Sequence, residues 1–250
     1  KSTDGLTVDQ AAQRIRGPRG TPVTLGVFRQ AAATPSFVLT IVRGEIRVKS
    51  VKLSWRPWHV ALLELTGFNN DTPDLFAAAR AELEAKGAKG VILDLRNNPG
   101  GSVLSAQAVA GAWLGDEVLF KERRQGKIVR SERAIGDGGL GGIPTVVLVN
   151  RGSASAAEIV AGALQDYGKA MVIGTKTFGK GSVQEYEELP DGSALKITVA
   201  EWLTPRDRVI NHIGLEPTTV VDRTDADYEA KRDPQLAQAE RFFRDGGRHV

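Results

Sequence analysis

The chain has 250 residues, 41% of them hydrophobic and 25% charged, and 33 Lys and Arg against 30 Asp and Glu leave a formal net charge of +3. Those values suit one substantial globular core with a smaller module beside it, and without a run of five or more basic residues they give no nucleic-acid footprint. The absence of cysteine removes disulfides, thiolate metal sites and cysteine nucleophiles together, and no apolar run approaches the roughly 20 residues that span a bilayer.

The opening KSTDGLTVDQ carries no signal segment and reads as mid-chain sequence. Thr7 and Gln10 form a capping-box pattern, Val8, Ala11, Ala12 and Ile15 an apolar stripe, and Gly17 a stop, which predicts a short amphipathic helix. GTPVTLGVFR then alternates as a strand. The resulting unit, ending near Gln30, falls below the roughly 40 residues at which unassisted domains become marginal. The block from Ser36 to Phe68 is rich in Val, Ile, Leu and Trp and predicts antiparallel strands.

From Asp71 the period changes: Asp71 or Thr72 caps a helix with Pro73 in its first turn, Leu75, Phe76, Ala79 and Leu83 on one face, and Gly87 as its stop. GVILDLRNN follows as an apolar strand buried on both faces. Next come a helix from about Ser102 to Leu114, a hairpin around KERRQGKIVRSE, the strand PTVVLVN, a helix from about Ser153, and the strand AMVIGT. This alternation predicts an α/β core with a parallel sheet. A further hairpin turns at Asp191-Gly192, and the tail from Asp233 reads as a short polar helix with Phe242 and Phe243, followed by disorder.

Two buried strands run into loops of unusual composition, at the strand ends where open α/β sheets place their sites. NNPGG, residues 97–101, is either a tight strand-to-helix turn or a turn that aims backbone N–H groups into a cleft. In RGSASAAE, Ser155 and Glu158 fit a capping box, and Ser153 fits the cap position equally well. An isolated serine at a helix start is far more often a cap than a catalyst. Yet the amide of Ala156, with one from Gly100 or Gly101, could hold a tetrahedral oxyanion.

A serine nucleophile needs a base. His59 starts a strand, His212 lies in a polar loop and His249 in the tail, none with a motif. Lys180 sits between two glycines, with Phe178 and Val183 nearby. Lowering a lysine pKa from about 10.4 to about 7.5 costs the charged form roughly 4 kcal/mol, which apolar burial can supply. The plain alternative is a solvated loop lysine.

NRGSASAAEIVAGALQDYGKAMVIGTKTFGKGSVQ resembles the central signature of the carboxyl-terminal processing peptidases, the Ser-Lys serine proteases related to tail-specific protease. LRNNPGG resembles their other signature, and GLTVDQAAQRIRGPRGTPVTL is similar to the second half of the PDZ domain preceding this core. The likeness extends to about Val221 and includes GLEPTTVV. It implies a crotonase- or Clp-protease-like α/β core of parallel βαβ units plus β-hairpins, preceded by a partial PDZ domain. The divisions are then 1–31 for the PDZ half, 32–222 for the peptidase core and 223–250 for a helical tail.

By that resemblance Ser155 is the nucleophile, Lys180 its general base and Gln184 the residue that orients the lysine. Ala156, Gly100 and Gly101 supply the oxyanion hole, and Glu158 and Asp166 lend support. Asp166 is 11 residues further along the helix, about 16 Å from Ser155, and suits a structural role better than a catalytic one. The resemblance implies no metal or organic cofactor, protein or peptide substrates with exposed C-terminal tails, no nucleic acid, and an extracytoplasmic address. It leaves room for peripheral membrane association and a homo-oligomer. The competing expectations are a catalytically silent peptide-binding relative, a crotonase-like acyl-CoA enzyme, and a PDZ-type interaction module.

Overall fold

The computed structural model describes residues 2–28, 36–45 and 49–247; His249 lies outside them. The chain divides into two compact units, Lys1–Val48 and Lys49–Val250. In the first, α1 (Val8–Ile15) begins in the predicted capping box: Gln10 N–H donates to Thr7 Oγ1 at 3.3 Å and Thr7 N–H to Gln10 Oε1 at 3.0 Å. Strands β1 (Pro22–Phe28) and β2 (Ser36–Val42) pair antiparallel, with Leu25 opposite Leu39. This pairing corrects the expected boundary after residue 31. An antiparallel ladder joins β2 to β1 residue by residue, so the first unit runs on past β2.

The second unit is built on a six-stranded sheet of order β12-β9-β8-β5-β4-β3. Its strands are β3 (Val51–Arg56), β4 (Val60–Leu65), β5 (Gly90–Asp94), β8 (Thr145–Val149), β9 (Met171–Gly174) and β12 (Thr219–Val220). All neighbours are parallel except β3, which pairs antiparallel with β4. The crossovers carry α2 (Thr72–Ala85), α3 (Val103–Leu114) and α4 (Ala156–Asp166). Between α3 and β8 the chain makes the hairpin β6 (Val118–Arg124) and β7 (Lys127–Arg133). With β10 (Ser182–Glu188) and β11 (Ala194–Leu203) this hairpin forms an antiparallel sheet of order β10-β11-β6-β7.

Strand alternation sends successive side chains to opposite faces. Leu63, Val91, Leu93, Val147 and Val172 face a core filled by Phe76, Leu83, Val109, Trp113, Ile159 and Leu164 from the three crossover helices. Leu62, Ile92, Val146, Leu148 and Ile173 face the other way. That second face is covered from the C-terminal segment, which contains α5 (Asp225–Glu229) and α6 (Pro234–Arg244). Leu236, Ala239, Phe242 and Phe243 pack there, with Ala239 fully buried. The expectation of a polar tail is therefore corrected. Helix α6 is amphipathic, and a sheet apolar on both faces needs a layer on each side. Of the tail, residues 248–250, where disorder was expected, lie outside the described residues.

Candidate active site

The ends of β5 and β8 place the NNPGG turn beside the start of α4. Several bonds hold the turn. Asn98, fully buried, donates from Nδ2 to Leu65 O at 2.9 Å, and its main-chain carbonyl accepts Ala154 N–H at 2.9 Å. Asn97 N–H donates to Asn150 Oδ1 at 2.9 Å, and Phe68 N–H to Gly100 O at 2.9 Å. Gly100 has φ +95°, and a Cβ there would lie 2.7 Å from Ser155 Cβ and 2.9 Å from Ala156 N. Only a glycine lets the turn approach the serine this closely.

The two serines of the loop separate cleanly. The fully buried Ser153 hydroxyl donates to Leu95 O at 2.7 Å and accepts Asn150 N–H at 3.0 Å, so it staples β8 to the end of β5. Replacing Ser153 by Ala strands two backbone groups and is expected to destabilise the fold by about 2 kcal/mol. Reaction at Ser155 with a serine-directed phosphonate is expected to survive the change, with a thermal melt and labelling by mass spectrometry as the check.

Ser155 is the N-cap of α4, with φ 58° and ψ −120°. The other hydroxyl caps here have extended backbones: Thr7 φ −71°, Ser102 φ −65° and Thr224 φ −74°. Capping alone needs only that ordinary geometry. The left-handed φ at Ser155 stores roughly 1–3 kcal/mol of strain, of the kind concentrated at functional sites.

A buried carboxylate holds the strained residue. Glu158, fully buried, accepts Ser155 N–H at 2.9 Å and Lys180 N–H at 2.8 Å on Oε2. Its Oε1 accepts the Thr177 hydroxyl at 2.5 Å and Gly179 N–H at 2.7 Å. One oxygen thus ties the backbones of Ser155 and Lys180 together. The S-x-x-E spacing identifies Glu158 only as a cap partner. The contribution of Thr177, whose hydroxyl also accepts Leu215 N–H at 2.7 Å, has no local signal beyond its place in KTFGKG.

The remaining candidates fall less uniformly. Gly100 N–H is already bonded to Asn98 Oδ1 at 2.9 Å, so Gly101 and Ala156 are the candidate amides without a hydrogen-bond partner among the described residues. Lys180 is exposed, and Phe178 is 65% exposed, so the expected apolar cover over the ammonium is not in place. Gln184 is exposed on β10 beside a bulge and makes no side-chain hydrogen bond to Lys180. Asp166 is buried at the far end of α4, paired with Arg208 at 2.5 Å and accepting Arg206 N–H at 2.8 Å. A cleft of about 730 Å³ is lined by Arg151, Thr177, Phe178, His212, Ile213 and Asp222 among others; neither Ser155 nor Lys180 lines it. Among the described residues no group of three or more His, Asp or Glu side chains converges as metal ligands would, and no helix is long and apolar enough to cross a membrane.

The sequence profile of Peptidase family S41 matches residues 59–221, which takes in every strand of the six-stranded sheet except β3, with the turn, Ser155 and Lys180. The chain belongs to peptidase family S41. This S41 chain is 40% identical over 229 residues to a carboxy-terminal-processing protease of Bartonella bacilliformis, covering 89% of the chain and 52% of the relative. It is 38% identical over 231 residues to the carboxy-terminal processing protease CtpA of Bacillus subtilis, covering 90% of the chain and 48% of the relative. Among solved structures it resembles a photosystem II D1 C-terminal processing protease, with TM-score 0.68 and 31% identity over 82% of this chain and 57% of that one. The S41 chain thus spans about half the length of the curated relatives it matches.

Proposed function

We propose that this chain carries the catalytic core of a serine endopeptidase that cleaves protein substrates near their C-termini, with Ser155 as nucleophile and Lys180 as general base. The observation that carries the reading is the shared Glu158 carboxylate, which fixes the strained backbone of Ser155 and the backbone of Lys180 on one oxygen. Neutral Lys180 takes the Ser155 hydroxyl proton as Oγ attacks the peptide carbonyl. The oxyanion is held by the N–H groups of Ala156 and Gly101. Lys180 passes the proton to the departing amine, leaving an ester on Ser155. Water then attacks that ester, giving a proton to Lys180, which returns it to Ser155.

The apolar cover that a neutral lysine needs comes, in this reading, with the bound peptide. Gln184, on this reading, orients the Lys180 amine. The relatives' names support C-terminal processing as the substrate class. The first unit, Lys1–Val48, belongs, on this reading, to a PDZ-type module that delivers tails by strand addition, within an extracytoplasmic protein. The S41 match weighs against an acyl-CoA enzyme.

The test is proteolysis of casein by the chain and by its Ser155→Ala and Lys180→Ala variants, from neutral to alkaline pH. Cleavage is expected to fall by about 10³-fold or more in each variant, with circular dichroism unchanged. Undiminished cleavage by Lys180→Ala rules out the base. A wild-type chain that neither cleaves nor acylates Ser155 supports the silent relative.

A further inference from the structure

We propose that the amino-terminal end of α6 is a working part of the catalytic apparatus: Asp233 grips Arg96 from behind and thereby fixes the NNPGG turn against Ser155. The inference rests on the reading of the turn as an oxyanion cradle. It makes Arg96 and Asp233 positioning residues of that site.

Arg96 is the residue immediately before Asn97, whose φ of +56° starts the turn. Its side chain is 13% exposed and every arm of the guanidinium is engaged. Nη1 donates to both oxygens of Asp233 at 2.9 Å and to Gln235 Oε1 at 3.1 Å. Nε and Nη2 donate to Asp94 on β5, at 2.9 and 2.6 Å, and the Arg96 main-chain N–H donates to Asp94 Oδ1 at 3.0 Å. A planar fork held on both sides has one orientation, and that orientation fixes the backbone from which the turn departs.

Asp233 is itself immobilised, because Oδ1 accepts Leu236 N–H at 2.9 Å as the N-cap of α6. Gln235 Nε2 donates to Val221 O at 2.8 Å, which ties the same helix end to the segment after β12. The turn is therefore bonded directly to Leu65, Phe68 and Ala154, and the residue from which it departs is held by α6. Even a well-buried ion pair is a poor stabiliser compared with apolar residues of similar volume, and this one is only partly buried. What this one offers is a fixed position, and misplacing a catalytic group by about 1 Å can cost on the order of 10²-fold in rate.

The test uses the full chain with Asp233→Asn, Arg96→Lys and the double variant. Asparagine keeps the helix cap but removes the charge; lysine keeps the charge but loses the fork. Three quantities are measured: the rate constant for Ser155 acylation by a fluorophosphonate, kcat and KM on a casein-derived peptide, and hydrogen exchange of residues 97–101. Each single variant is expected to lower acylation and kcat by about tenfold, with KM within twofold and faster exchange at 97–101 but not in α3. The double variant should lose no more than the worse single variant, since both act through one contact. A lower melting temperature with acylation and exchange unchanged would overturn the proposal and make α6 a structural layer only. If the wild type is not labelled at Ser155, the peptidase reading fails instead, and exchange at 97–101 still decides whether α6 fixes the turn.

Discussion

Replacing Glu158 by Gln is expected to inactivate the site and loosen the fold together, although the two side chains are isosteric. The carboxylate accepts four hydrogen bonds, two on each oxygen, from Ser155, Lys180, Thr177 and Gly179. An amide offers one oxygen, and its NH₂ group would face two donors with nothing to accept them. Leaving buried donors unpaired costs about 1–3 kcal/mol each, so a loss of about 3–5 kcal/mol and a melting temperature lower by roughly 10 °C follow for a unit of this size. Ser155 would relax from its strained backbone once its N–H lost the acceptor. Acylation of Ser155 is then expected to slow by about 100-fold, measured by phosphonate labelling beside a thermal melt. Thr177→Val removes only one donor to the same carboxylate and should fall between wild type and Glu158→Gln. A Gln variant with unchanged melting and labelling would show that the carboxylate does not hold the site.

Gly100→Ala should separate turn geometry from stability. The added Cβ would sit 2.7 Å from Ala154 O, 2.7 Å from Ser155 Cβ and 2.9 Å from Ala156 N, and the backbone has φ +95°. Two of those neighbours are main-chain atoms, so neither a rotamer change nor a small side-chain shift relieves the clash. The turn must withdraw from the serine, and on the proposed mechanism the Gly101 N–H would leave the oxyanion position with it. Losing one oxyanion donor costs about 10²–10³ in rate, and the same fall is expected for kcat, with destabilisation of about 1–3 kcal/mol from overpacking and strain. The measurement is kcat and KM on one peptide together with a urea melt. A fall in stability with kcat intact would show that the turn packs against the nucleophile without serving it.

Much of the second unit was legible in the chain because its signals are local or periodic. Strands β5 and β8 read as apolar runs, α2 as a capped amphipathic stretch, α3 as a helical segment, and the Asp191-Gly192 turn as a hairpin, with Gly192 at φ +81°. The covering role of α6 was not legible: Leu236, Ala239, Phe242 and Phe243 are spaced as a helix face, but which sheet face they meet depends on strands far earlier in the chain, from β4 to β9. The division after β2 was missed for a similar reason, since hydrogen-bond partners across a hairpin carry no fixed spacing in sequence.

At the site, the sequence by itself determined the residue types and their spacing: a serine at a helix start, a glutamate three positions on, a lysine between glycines, and a turn able to reach positive φ. Only the tertiary structure decided which partners each of them meets. It consumed the Ser153 hydroxyl in a backbone staple, strained Ser155, bonded the Gly100 amide to Asn98 and left the Gly101 amide without a partner among the described residues. It also brought the backbones of Ser155 and Lys180 to one carboxylate oxygen. The reason is physical: a hydroxyl or an amide has the same chemistry wherever it lies in the chain, and what it does is set by which partners the packed fold leaves within about 3 Å of it.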